Sequence, residues 1–439
     1  MLPATEARTS AATGDDRLAL WLRVREFAVP PTMIDTATVR REAGDWAGAC
    51  AAARVDVDLD PRDLARTYGD ELARRLRSDL RYFAPDLLRW HMPRVGPDGL
   101  LRPGVTSALA RYETGDPRRP LHLVVRTPPA WADAGQRISL TVWDGALSGG
   151  PAHPHPRPSP RFRFDLHRHL WDARRAGELA ERAGSGGCAP DAEPHWAVDR
   201  WAVEARLVRE AEGLAPDGLA GVRVGGGRCL AFDTREGCVV QASGHFPLLP
   251  DAATWVPPDR ELLRAGLIDG DRLHPLVAEA LGVRAPQSAA VRESAGHTHL
   301  VDCRGERHRV ALVDGVLSPL DHEPAEIHRE SLLAALGGPP MPCLQVIDEA
   351  HRDPVSLPGI RERLAHGDYT GALDVVEDLL GRDARLGEGP LRDALETAVS
   401  RRIDHGLYRS GLGEPGGSGT KVLKKPRSVR SHPRQAPAR

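Results

Sequence analysis

LVDCRGERHRVALVDGVLSPLDH, residues 300–322, reads as a strand, a tight polar turn, a second strand and a Gly-containing turn into a short apolar exit. LAFDTREGCVVQASGHFPLLPD, residues 230–251, repeats that layout, and a helix is expected after each, containing Glu261-Leu262-Leu263 in one and Ser331-Leu332-Leu333 in the other. Asp144 to Ser148 echoes Asp314 to Ser318, although Asp-Gly between apolar runs is also a common hairpin signal. Residues 216–340 therefore read as repeated ββα units, which places the chain in the α+β class.

Outward from this centre, 165–215 reads as a helix pair, with helices at about 165–183 and 195–213, and 151–164 as a stiff Pro-rich linker. Residues 95–150 form an antiparallel β region whose clearest strands are Leu121 to Thr127 and Arg137 to Trp143. A helical N-terminal region spans 16–94. Within it Asp60 is an N-cap, Pro61 the first helical residue and Asp63 a first-turn acid, while LALWLRV, residues 18–24, fits helix and strand equally. Residues 341–412 form a helical C-terminal region ending in a helical hairpin, with Leu391, Leu395, Val399 and Leu407 as its apolar stripe. Residues 1–15 and the basic tail 413–439 are expected to be disordered.

The composition excludes several mechanisms. Of 59 basic residues only Lys421, Lys424 and Lys425 are lysines, so the rest of the chain lacks the Lys of a P-loop, a protein kinase or a Schiff-base enzyme. Asn is absent, which removes N-glycosylation and papain-like triads. A GC-rich genome accounts for this bias. Six cysteines lie far apart with no Cys-x-x-Cys and read as mostly reduced core residues. No window approaches the ~18 apolar residues of a membrane span, and the N-terminus lacks a signal pattern, so a cytoplasmic chain is expected. The net charge is -2, yet seven Lys/Arg and no acid follow Glu414, leaving an acidic body and a basic tail.

Gly44-Asp45-Trp46-Ala47-Gly48-Ala49-Cys50 and Gly367-Asp368-Tyr369-Thr370-Gly371-Ala372-Leu373 each resemble the turn and second-helix start of a tetratricopeptide repeat. The resemblance implies two close-packed helical hairpins and hints at protein binding. It covers two isolated copies over 300 residues apart, whereas a solenoid needs about three adjacent repeats.

Among 18 histidines, His153/His155, His167/His169 and His297/His299 are spaced i, i+2, which aligns the rings only on extended backbone. On the expected hairpin His299, Val301 and Cys303 share a face and His308 opens the partner strand, so His299, Cys303 and His308 form a candidate metal set, three N/S ligands plus water. Asp302 points the other way. His322-Glu323-Pro324-Ala325-Glu326-Ile327-His328 fails as a zincin helix because its second His falls at i+6, and reads as a helix start with Pro324 first. Asp56, Asp58 and Asp60 lack the Gly and Glu of a calcium loop. Gly225-Gly226-Gly227 precedes a strand and fails as a dinucleotide fingerprint. Cys188, near His195, lacks any recognisable oxyanion hole.

Lys421, Lys424, Lys425, Arg427 and Arg430 in the tail can bind an anionic partner through salt-sensitive contacts. The leading expectation is a non-catalytic cytoplasmic scaffold or adaptor with a protein partner and no cofactor. The alternatives are a metal-dependent hydrolase using the His/Cys set, with zinc as its cofactor, and a nucleic-acid-associated protein tethered by its tail.

Overall fold

A proline in the first turn or a side-chain N-cap starts most of the helices. The computed structural model describes residues 16–116, 119–145, 153–184, 195–225, 228–283, 299–314, 316–382 and 384–412; residues 1–15, Cys188 and the tail candidates lie outside these. Residues 16–23 are helical and continue into a π-turn, Val24–Ala28. α1 (Pro31–Glu42) and α2 (Trp46–Ala52) form a hairpin in which Gly44 adopts φ +79° and the Asp45 carboxylate accepts the Gly48 N–H at 2.8 Å. A Cβ on Gly48 would collide with that carboxylate, so the second Gly of the motif is required by the cap. α3 (Pro61–Tyr68) starts at Asp60, which accepts the Arg62 N–H at 2.7 Å. α4 (Asp70–Arg81) and α5 (Pro85–His91) complete the N-terminal helices.

β1 (Val55–Val57) lies at the edge of a four-stranded sheet ordered β1, β6 (Ile138–Trp143), β5 (Leu121–Arg126), β4 (Thr106–Tyr112). The last three strands are the antiparallel meander, whereas β1 joins in parallel, Val55 opposite Ile138. A short ladder of β2 (Arg94–Val95) and β3 (Leu100–Leu101) precedes it. Leu76, Leu80, Leu87, Leu88 and Trp90 bury themselves against Leu109, Leu123, Ile138 and Leu140. Residues 153–164 run beside β4: the Ser159 N–H donates to the Thr106 carbonyl at 2.8 Å, and Arg163 bridges Ala108 in parallel.

The helix expected at 165–183 is instead two 3₁₀ turns, Arg168–Leu170 and Ala176–Glu178, and one helical turn, Leu179–Arg182. The backbone is diverted at the buried Asp172, which bridges Phe83 and binds both Arg168 and Arg174. His167 and His169 consequently turn inward, with rings 5.8 Å apart, where a helix would have separated them. α6 (Val198–Ala211) follows.

β7 (Leu219–Gly225), β8 (Arg228–Asp233) and β9 (Cys238–Val240) form one antiparallel sheet, and β10 (His299–Cys303), β11 (Glu306–Val313) and β12 (Val316–Pro319) another. The two similar sequence segments take different places in them. Leu230 lies on a central strand because β7 precedes it, and Leu300 lies on an edge strand. α7 (Pro258–Arg264) and α8 (Pro275–Ala280) return to the first core, while α9 (Pro324–Ala335), α10 (Pro342–Arg352), α11 (Leu357–Ala365), α12 (Tyr369–Leu380) and α13 (Pro390–Arg409) follow the second sheet. Asp368 caps α12 on the Gly371 N–H at 3.3 Å, with Gly367 at φ +80°, as Asp45 does for α2. On α13 the buried positions are Leu391, Ala398 and His405; Val399, expected in the stripe, is 58% exposed because the burying face follows seven-residue spacing. No helix of the described residues is long and apolar enough to cross a membrane.

Residues 54–58 meet residues 366–409. Arg54, at φ +58° between α2 and β1, donates to the His366 carbonyl at 2.9 Å and to Asp368 at 3.1 Å, and Arg409 on α13 pairs with Asp58. His366 is fully buried and stacks on Phe27, and burial, reinforced by Arg94 and Arg89, lowers its pKa to about 3. A depressed histidine pKa means the unfolded chain takes up a proton that the fold refuses. Stability is therefore complete above ~6.5 and falls as pH drops from there toward 3, by as much as ~4 kcal/mol from this group. His91, held at about 4 chiefly by burial, acts in the same direction. Denaturant unfolding at pH 7, 6, 5 and 4 should show this loss, and His366→Gln should flatten the slope; equal slopes would contradict it.

Candidate metal centre

Cys303, His308, His322 and Cys343 bring one ligand atom each into a group whose members all lie within 4.8 Å of one another. The hairpin sets the first pair. Arg304 and Gly305, at φ +56° and +90°, form a two-residue turn with Cys303 opposite Glu306, and His308 then stands opposite Val301 on the inward face. The chain leaves β12 still bonded to β11, with the Leu320 N–H donating to the Arg309 carbonyl at 2.8 Å. Asp321 accepts the Arg309 N–H at 2.7 Å and pairs with its guanidinium, which holds the carboxyl down at about 2. His322 is thereby placed beside His308. Cys343 is the second residue of α10, after Pro342, so the first turn of that helix carries its sulfur to the centre.

His308 Nδ1 and His322 Nε2 are 2.6 Å apart, each aimed at the other. His322 Nδ1 lies 3.2 Å from a Glu326 carboxylate oxygen, and Arg304 holds Glu326 through its other oxygen at 2.8 Å. With Nδ1–H donating to Glu326, His322 Nε2 presents its lone pair to the centre, the outer support typical of a metal-bound imidazole. Both cysteines are fully buried. Burial and the adjacent Cys303 push the Cys343 thiol up to about 11, a shift that a bound cation would reverse by taking the thiolate as a ligand. Two thiolates and two neutral imidazoles match tetrahedral zinc, whose donors stand roughly 3.3–3.8 Å apart. The two imidazoles need only a small separation to reach that spacing.

Of the residues singled out in the sequence, Cys303 and His308 come together here and His299 does not. His299 lies opposite Val310 at the far end of β10, exposed, and four strand residues from Cys303 amount to about 13 Å. His322 and Cys343 occupy the remaining corners. The His-rich start of α9 was visible in the sequence, but its His328 is exposed and its true neighbour is His308. Cys343 carried no local signal beyond its position after Pro342. The remaining acidic candidates are separately engaged: Asp56 with Arg137, Asp58 with Arg409, and Asp60 as a cap. No known protein family, curated protein or solved structure matches this chain.

Proposed function

We propose that this chain is a non-catalytic, zinc-stapled scaffold of the cytoplasm, in which the Cys303/His308/His322/Cys343 centre fixes residues 299–412 as a platform for a protein partner. The observation that carries the reading is the convergence of four protein donors. They fill a tetrahedral ion, which is the arrangement of structural zinc, whereas a hydrolase keeps one position open for water. The cysteines of the described residues are all free thiols, in keeping with a reducing compartment. Around the staple, α9 buries none of its residues, and Leu332, Leu333 and Leu336 stand exposed at its C-terminal end, an apolar surface suited to protein contact.

Elemental analysis of the purified chain, with zinc supplied by equilibrium dialysis, should give about one zinc per chain. His299→Ala should keep it and the Cys303→Ala/Cys343→Ala pair should lose it. X-ray absorption should show two sulfur and two nitrogen neighbours. Failure to take up zinc, or loss of zinc in His299→Ala, would remove the staple. For the scaffold itself, a stoichiometric partner recovered from native lysate should be lost on Leu333→Asp/Leu336→Asp; no partner at all would sink that half.

A further inference from the structure

A second feature lies in the other half of the molecule and is independent of the zinc reading. A cavity of about 250 Å³ opens between the first helix, the end of α5, and segments 161–170 and 251–258. Five arginines line it: Arg17, Arg94, Arg102, Arg161 and Arg182. Three have carboxylate partners, Arg17 with Glu261 at 2.8 Å, Arg161 with Asp251 at 2.6 Å and Arg182 with Glu204 at 2.5 Å. Arg94 is bonded only to the Gly99 and Arg89 carbonyls, and the Arg102 guanidinium makes no hydrogen bond or ion pair among the described residues. Arg161 engages Asp251 through Nε and Nη2, leaving its Nη1 without an acceptor among those residues.

The cavity therefore carries two positive charges without a counter-charge, and the fold leaves donors there uncommitted. A half-buried cation without a bonded partner costs free energy, which makes the uncommitted Arg102 guanidinium, beside the free Nη1 of Arg161, a place for an anion. Apart from Asp251, whose carboxylate is taken up by Arg161, and the two histidines, the remaining walls are apolar, chiefly Trp21, Met92, Phe162, Phe164, Leu170 and Trp255. His91 and His169 complete them as neutral imidazoles, since burial lowers both. Arg102 and Arg161 also face an adjoining cleft with Arg157 and His155, which extends the positive field outward along a route of approach. The volume equals about eight waters and sits just below the usual range of ligand pockets, so the occupant is small.

We propose that this cavity binds a small organic anion with a flat apolar body, its carboxylate or phosphate held by Arg102 and Arg161 and its ring among Phe162, Trp21 and Trp255. The test is calorimetric titration of the full chain with phenyl phosphate, benzoate, inorganic phosphate and the neutral analogue benzyl alcohol. At least one aromatic anion should bind saturably, the tighter of the two naming the headgroup, with benzyl alcohol and inorganic phosphate each at least about tenfold weaker. Arg102→Gln removes an uncommitted charge without breaking a bond and should weaken binding about tenfold or more. Ala252→Phe, which fills the cavity from its wall, should abolish it, with circular dichroism confirming that both variants fold. No saturable binding of either anion, or binding unchanged in both variants, overturns the proposal. Equal affinity for inorganic phosphate overturns the role of the aromatic walls.

Discussion

Removing the proposed zinc from the folded chain should unfold residues 299–320 and 342–352 while the β4–β6 sheet keeps its protection. The centre sits at the meeting point of β10, β11, the approach to α9 and the first turn of α10, so it ties four segments that otherwise share a modest core of Val301, Val310, Leu317, Ile360 and Leu364. Structural zinc in small domains contributes roughly 10–16 kcal/mol of apparent binding energy, most of which appears as folding energy. Here the apolar core bears part of the load, and a loss of about 5 kcal/mol is expected. Hydrogen exchange with and without a chelator measures it region by region. Uniform protection in both conditions would contradict the staple.

Asp259→Ala is expected to destabilise the other half of the molecule by about 3–5 kcal/mol. Asp259 is fully buried and accepts from Trp90 Nε1 at 2.6 Å and from Arg25 at 3.2 Å, and the Arg25 guanidinium lies 3.9 Å from the Trp90 ring centroid. Removing the carboxylate leaves Arg25 charged in a cavity of its own making, with Nε and Nη1 already lacking partners. Burial lowers the Arg25 pKa and Asp259 opposes that shift, which shows the dependence of one group on the other. Replacing both, Arg25→Met with Asp259→Leu, should recover most of the loss, because it removes the charge and its counter-charge together. Urea unfolding midpoints of the three variants decide the matter; a single-variant loss under ~1 kcal/mol would mean the pair is not the anchor described here.

What could be read from the sequence was what short range determines. Asp45, Asp60 and Asp368 cap helices through donors two or three residues on, and Pro61 and Pro324 occupy first helical positions, so composition and spacing identify them. Strand alternation placed Cys303 and His308 on neighbouring strands. It also placed His299 on the same face, because alternation carries no information on distance along the strand. His322 and Cys343 stayed hidden since the ligand spacing, Cys-x4-His-x13-His-x20-Cys, follows no local period and depends on how α10 returns to the sheet. The same limit hid the parallel pairing of β1 with β6, some 80 residues apart, and the bridge from Asp172 to the distant Phe83 where the chain is diverted. The arginine-lined cavity was likewise invisible, as its residues come from positions 17 to 258.

The meeting of Arg54 with Asp368, and of Asp58 with Arg409, has a consequence for the order of events on the ribosome. At roughly 5–20 residues per second, the partners of Arg54 and Asp58 are made about 15–70 s after those residues emerge. Through that interval the turn after α2 carries a cation with no partner and β1 lacks the helix that covers its end. The segment around Arg54 and Asp58, made well before its partners, is therefore among the last to be locked, and a nascent chain halted before residue 368 presents that face open to any chaperone waiting at the tunnel exit.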